Sequence, residues 1–141
     1  VRENKFRGKR KDNGKWTYGD LIQLLGEQGG GRKFIVDNRF GACIDENGDF
    51  LNTEAPFVNE VDPKTIGQFI GFTDKNGREI YGRDLVEDEN GIGEVEWVQE
   101  HCSYLVFTRN PSQYHRLESD GQLSRTAVIG NAIDNPELLE V

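Results

Sequence analysis

Four Asn-Gly pairs (Asn13-Gly14, Asn47-Gly48, Asn76-Gly77 and Asn90-Gly91) and one Asp-Gly pair (Asp120-Gly121) divide this chain into short pieces. Asn, Asp and Gly tolerate positive φ, which both central positions of a type I′ hairpin turn require. Most of the pairs are flanked by short runs in which apolar and polar residues alternate, the period of a strand with one buried face. Together the two signals restrict the chain to a meander of antiparallel hairpins. They specify architecture and carry no chemistry.

The runs predict strands over 2–8, 16–22, 34–36, 40–44, 50–51, 66–72, 79–81, 84–86, 92–100, 104–108 and 126–129. In 92–100, Val95 and Trp97 share one face and Glu94 and Glu96 the other. Gly26–Gly31 is a glycine-rich hairpin tip. Pro56 restricts the segment after it to an edge or a loop, and 109–116, polar and containing Pro111, reads as a loop. Asp62-Pro63-Lys64-Thr65 suits a helical first turn or a β-turn. Asn135-Pro136-Glu137-Leu138-Leu139 places Asn at a cap and Pro at the first position of a short C-terminal helix. Residues 13–22 and 76–86 match as a weak internal repeat once Arg83 is treated as inserted. A duplicated hairpin unit and reuse of one turn chemistry both account for it.

Seventeen glycines and no methionine in 141 residues suit a turn-rich β protein, and fourteen aromatics supply core. A chain of this length makes one domain, or two small subdomains sharing a core; the divisions drawn here are 1–61 and 62–141. No apolar run approaches the ~18 residues of a membrane-spanning helix. Cys43 and Cys102 stand far apart with no signal peptide in view, so reduced thiols in a cytoplasmic protein are expected. The net charge of −8 is unevenly spread. Residues 1–15 balance to +5 through Arg2, Lys5, Arg7, Lys9, Arg10, Lys11 and Lys15, which leaves −13 for the rest. Residues 84–100 hold seven acids and no Lys or Arg. A basic arm and an acidic sheet face are therefore both candidate contact surfaces.

Asp62-Pro63-Lys64-Thr65-Ile66-Gly67-Gln68-Phe69-Ile70-Gly71-Phe72-Thr73-Asp74-Lys75-Asn76-Gly77-Arg78-Glu79-Ile80-Tyr81 resembles the central signature of the YopX family, small proteins of phages, prophages and related mobile elements of bacteria. Lys5-Phe6-Arg7 with Trp16-Thr17-Tyr18-Gly19-Asp20-Leu21, Gly93-Glu94-Val95-Glu96-Trp97, Val128-Ile129-Gly130-Asn131 and Asn135–Leu139 extend the resemblance over nearly the whole chain. Two places depart from it. Gly82-Arg83-Asp84 stands where the family usually has Glu-Gly-Asp, and Lys9-Arg10-Lys11 replaces a more aromatic, acidic stretch. The resemblance implies a mainly β fold with an SH3-like barrel in the second half, and it implies no reaction.

The residues themselves point to no catalytic set. His101 and Cys102 are neighbours on a strand and project to opposite faces, and a zinc site from Cys43, Cys102 and a His lacks paired-ligand spacing. Asp45, Asn47 and Asp49 imitate half of a calcium loop without its distal Glu. Gly26–Gly31 lacks the Lys-Ser/Thr of a phosphate loop. The serines have no nucleophile elbow. Glu94 and Glu96 form one carboxylate pair suited to acid/base work or a divalent cation, but a solvated strand face accounts for them too. Trp97, Tyr104, Phe107, Trp16 and Tyr18 are read as core.

No enzyme, metal or cofactor is therefore expected. The reading is a binding module that contacts a protein partner or self-associates, with Arg2, Lys5, Arg7, Lys9, Arg10, Lys11, Glu94 and Glu96 as candidate contact residues. The alternatives are a nucleic-acid-binding regulator that uses the basic segment, with Arg109, His115, Arg116 and Arg125 as further cations, and an acidic DNA mimic.

Overall fold

The computed structural model describes residues 4–24, 31–37, 47, 58–109, 112–117 and 125–140. They divide into two compact units, Asn4–Gln68 and a second that begins at Phe69. The expected hairpin of 40–44 with 50–51, residues 26–30 of the Gly26–Gly31 tip, Cys43 and Arg2 lie outside the described residues.

In the first unit, β1 (Phe6–Lys9) pairs antiparallel with Trp16–Gly19 of β2 (Trp16–Gln23). The rest of β2, Asp20–Gln23, pairs with β3 (Lys33–Val36), which pairs in turn with β4 (Val58–Val61). β4 then returns to the end of β1 through an Arg10–Val61 bridge. Lys11 N–H donates to the Glu60 carbonyl and Asp62 N–H to the Lys9 carbonyl, both at 2.9 Å. Ile35 and Val61 are fully buried. The Asp62-Pro63-Lys64-Thr65 segment forms a 3-10 turn over Pro63–Thr65, with Asp62 as its cap: Oδ1 accepts from Lys64 N–H at 3.0 Å. Thr65 Oγ1 accepts from Lys9 N–H at 2.8 Å, so the turn is tied to β1. β5 (Gly67–Thr73) enters beside β1, with Gly67 and Gln68 opposite Arg7 and Phe6.

In the second unit, Phe69–Thr73 of β5 pairs with β6 (Glu79–Tyr81). A five-stranded antiparallel sheet then runs in the order β10-β9-β8-β7-β11, built from β7 (Asp84–Asp88), β8 (Gly91–Val98), β9 (Ser103–Arg109), β10 (Ser112–Arg116) and β11 (Ala127–Asn131). Ile70, Ile80, Val86, Val95, Val106 and Val128 make the core on one face, with Tyr104 and Leu117 packed against them. On the other face Leu85 and Leu105 are buried, and the C-terminal 3-10 helix Pro136–Glu140 packs on β8 and β9. A short helix is expected there. Its Leu138 N–H reaches the Asn135 carbonyl, an i to i+3 bond, and five residues give only that tight form.

The SH3-like barrel implied by the family resemblance does not close among the described residues: the outer edge of β11 is occupied. Val128 N–H donates to Asp74 Oδ2 at 2.8 Å, and the Thr126 carbonyl accepts from Lys75 N–H at 3.0 Å. The turn at 74–78 thus takes the groups that β10 would need for closure, and the order stays open.

The turns also differ from expectation. Gly14, Gly77 and Gly91 have φ of 70°, 79° and 101°, whereas among the described residues non-glycine positive φ is confined to Arg83 and Cys102. Asn13, Asn76 and Asn90 are therefore not left-handed, and the turns are not type I′. At 74–78, Gly77 N–H donates to the Asp74 carbonyl and Asp74 N–H to the Arg78 carbonyl, the pattern of a right-handed turn followed by one left-handed glycine. At the second and third of these turns an Asp two residues before the Asn directs this. Asp74 Oδ1 accepts from Asn76 N–H at 2.9 Å, and Asp88 Oδ1 from Asn90 N–H at 2.8 Å, both Asx turns.

The two repeat copies share a topology. In the first, β2 pairs with β1 up to Gly19 and with β3 from Asp20. In the second, β6 pairs with β5, and after the turn at Gly82-Arg83 the chain resumes as β7 beside β8. Each copy changes partner at the glycine that follows its tyrosine. The inserted Arg83 turns a bend into a full break.

Candidate functional site

The basic cluster is not an arm. Phe6–Lys15 is a hairpin, and Arg7, Lys9, Arg10 and Lys11 are engaged within the first unit. Arg7 is 6% exposed, with its guanidinium 4.8 Å from the centre of the Trp16 ring, and Lys9 Nζ lies 5.4 Å from the same ring. Cross-strand pairing causes this: Lys9 is opposite Trp16 and Arg7 opposite Tyr18 on one face. Arg10 makes a fork to Asp12 at 2.9 and 2.6 Å. Lys11 lies 3.3 Å from Glu60, which also takes Arg32 at 2.8 Å. The Arg32 hydrogen bonds, with Lys11 adding to them, hold the Glu60 carboxyl at about 2 against a smaller upward push from burial. Lys5 is half-buried just before β1.

The acidic pair sits on the second face of the five-stranded sheet. The register sets Leu85, Glu94, Phe107 and Tyr114 in one transverse row across β7, β8, β9 and β10, with Glu96, Leu105 and Arg116 in the next. The two carboxylates therefore differ. Glu96 is exposed. The Glu94 side chain, set between Leu85 and Phe107, is 12% exposed and takes Arg83 Nε at 3.2 Å. Burial raises the Glu94 carboxyl above its ordinary value; the Glu96 charge adds to this, and Arg83 opposes it. Arg83 is positioned by its backbone. At φ 73° it donates to the Val95 carbonyl at 2.7 Å and accepts from Ala132 N–H at 2.8 Å. This left-handed residue stands where the family usually has Gly.

A raised carboxyl binds its proton more readily in the folded state. Its contribution to stability is thus full below its unfolded value and lost as pH rises through its folded value. Glu94→Gln is accordingly expected to raise the melting temperature at pH 7, with the gain vanishing near pH 4. Thermal melts at both pH values check this, and a lower melting temperature at pH 7 would contradict it.

Three rings meet at the β10 end of the row. Tyr114, 57% exposed, lies 5.8 Å from Phe107 and 5.8 Å from His101, the latter edge-on. His115 points to the core side, where Nε2 and Asp88 Oδ2 are 2.7 Å apart, so it is not a free cation. Trp97, read from the sequence as core, is 47% exposed beyond the end of the core, against Tyr104 at 5.2 Å. Among the described residues no group of three metal-ligating side chains converges, and no helix is long and apolar enough to cross a membrane. Cys102 is a free, exposed thiol. Sequence reading missed β10 itself, because Pro111 and the polar run hid the alternation of exposed Ser112, Tyr114 and Arg116 with Gln113 and half-buried His115.

An all-β protein in two units, with a mixed aromatic and charged surface on the second, is the class that this geometry defines. The chain belongs to the YopX family: the family model described as "YopX protein" matches residues 5–140. Among solved structures it is similar to protein EF1440 from Enterococcus faecalis, with 19% identity, 99% of each chain covered and a TM-score of 0.58, a likeness in fold. No curated protein matches the chain.

Proposed function

We propose that this protein is a non-enzymatic interaction module of a bacterial phage or prophage, that it works in the cytoplasm, and that it binds protein through the second face of its five-stranded sheet. The observation that carries the reading is the β8–β10 surface. Tyr114, Phe107 and His101 form an aromatic patch beside Glu96 and Arg116, at a strand that among the described residues pairs on one side only. Exposed aromatics with a polar rim are the composition of a protein contact rather than of a solvated surface. The engagement of Arg7, Lys9, Arg10 and Lys11 within the first unit weighs against phosphate binding by that cluster.

Affinity capture with the wild-type chain and with Tyr114→Lys tests the reading. Wild type is expected to retain a protein in stoichiometric amount after nuclease treatment, and Tyr114→Lys to lose it. Retention that the substitution leaves unchanged counts against this surface. A shift of DNA at low salt that disappears steeply as salt rises would favour the nucleic-acid regulator instead.

A further inference from the structure

We infer that β10 is a dimerisation edge, where a second copy of the chain pairs antiparallel with it, Ser112–Arg116 against Ser112–Arg116, about a two-fold axis at Tyr114. The inference rests on the interaction-module reading and names its partner.

The two edges of the five-stranded sheet are treated differently. The outer side of β11 is covered by the Asp74 carboxylate and Lys75 N–H. Among the described residues β10 pairs with β9 alone, in unbroken register from Ser112 to Arg116. Within that stretch there is no proline, lysine or bulge, the usual means of blunting an exposed edge.

The charge pattern of the strand suits a second copy. A register centred on Tyr114 opposes all five residues and sets Arg116 against the second copy's Ser112 and His115 against its Gln113. No like charges face each other, whereas a foreign strand would need acids of its own at those places. Centring on His115 would shorten the overlap and oppose two histidines. At the axis Tyr114 meets its own copy. The row Leu85–Glu94–Phe107–Tyr114 then continues into the same row in reverse, as an isologous interface requires. Diagonally, each Arg116 comes within reach of the second copy's Tyr114 ring.

Sedimentation equilibrium on the full chain, from micromolar to submillimolar concentration, tests this. The wild type is expected to be a reversible dimer. Ser112→Arg sets a cation against Arg116 in two symmetry-related pairs and should raise the dissociation constant about tenfold. Adding Arg116→Glu to it should restore the dimer, and Ser112→Glu alone should tighten it. Ser112 also stands opposite Arg109 on β9, so Ser112→Arg should lower and Ser112→Glu raise the monomer's melting temperature slightly; the dissociation constant is read on the folded chain, and Arg116→Glu restores the dimer without removing that contact within the chain. A wild type that stays monomeric, or a dimer indifferent to Ser112→Arg, overturns the inference. If such a chain still captures another protein through Tyr114, the dimer falls and the interaction-module reading stands; if it captures none, both fall. Binding of an acidic peptide along β10, weakened by Arg116→Glu in a monomeric chain, likewise overturns the second copy as the occupant.

Discussion

Asp74→Ala is expected to destabilise the second unit by about 3 kcal/mol, enough to lower its melting temperature by roughly 15 °C. The buried carboxylate accepts three backbone N–H groups, from Asn76 at 2.9 Å, Arg78 at 2.8 Å and Val128 at 2.8 Å. Truncation lets the first two reach water in an exposed turn. Val128 N–H stays buried without an acceptor, and that loss dominates. Burial pushes the Asp74 carboxyl up, but the bonds from Val128, Arg78 and Asn76 outweigh it and bring the group below its ordinary 3.8. For a lowered carboxyl the stabilisation is complete above the unfolded value and is lost as pH falls through the folded one. The difference between wild type and Asp74→Ala should therefore be full at pH 7 and shrink steadily below pH 4. Urea unfolding at a series of pH values measures both, and a constant difference across the series would refute the assignment.

Gly19→Ala should cost the first unit at least about 4 kcal/mol, whereas Gly77→Ala should cost only about 1 kcal/mol. Both glycines have positive φ, 154° and 79°. They differ in surroundings. A Cβ on Gly77 meets nothing within 4 Å, so the cost is conformational. A Cβ on Gly19 would overlap the carbonyl oxygen of Val36, which is backbone and cannot turn aside. Gly19 marks the point where β2 leaves β1 for β3, and displacing Val36 breaks the ladder that begins there. Protein yield and melting curves of the two variants give the comparison. Equal losses would mean that the contact carries no energetic weight.

Much of this fold was legible in the residues. Asn-Gly turns flanked by alternating runs locate the hairpins at 13–14, 76–77 and 90–91, and Val95 pointing inward opposite Glu94 follows from the period alone. The Asn-Gly pair alone does not show the turn type, because the residue that selects it stands two positions before the Asn. Asp74-Lys75-Asn76-Gly77 and Asp88-Glu89-Asn90-Gly91 contain an Asp whose side chain bonds the Asn backbone, and that selects a right-handed turn ending in glycine. Barrel closure was not readable, since it hinges on whether residue 74 reaches residue 128, a distance in sequence that no local pattern spans. The same holds for the surface. The basic residues look like an arm in a string of letters, and only the register of β1 against β2 shows Arg7 and Lys9 committed to Trp16. β10 is hidden in the sequence because Pro111 and its polar neighbours read as a loop, although Tyr114 and Arg116 alternate as an exposed strand should.

The bond from Val128 to Asp74 also has a bearing on how the protein is made. It links positions 54 apart, with the donor in the last strand. A ribosome releases the 74–78 turn long before it releases Val128, and until then the carboxylate has no third donor. β7, next to the edge strand of its sheet, lacks its outer neighbour over the same interval. The second unit therefore completes its ladder only once Ala127–Asn131 has emerged, and a chain stalled before residue 126 presents an unfinished sheet to whatever lies nearby.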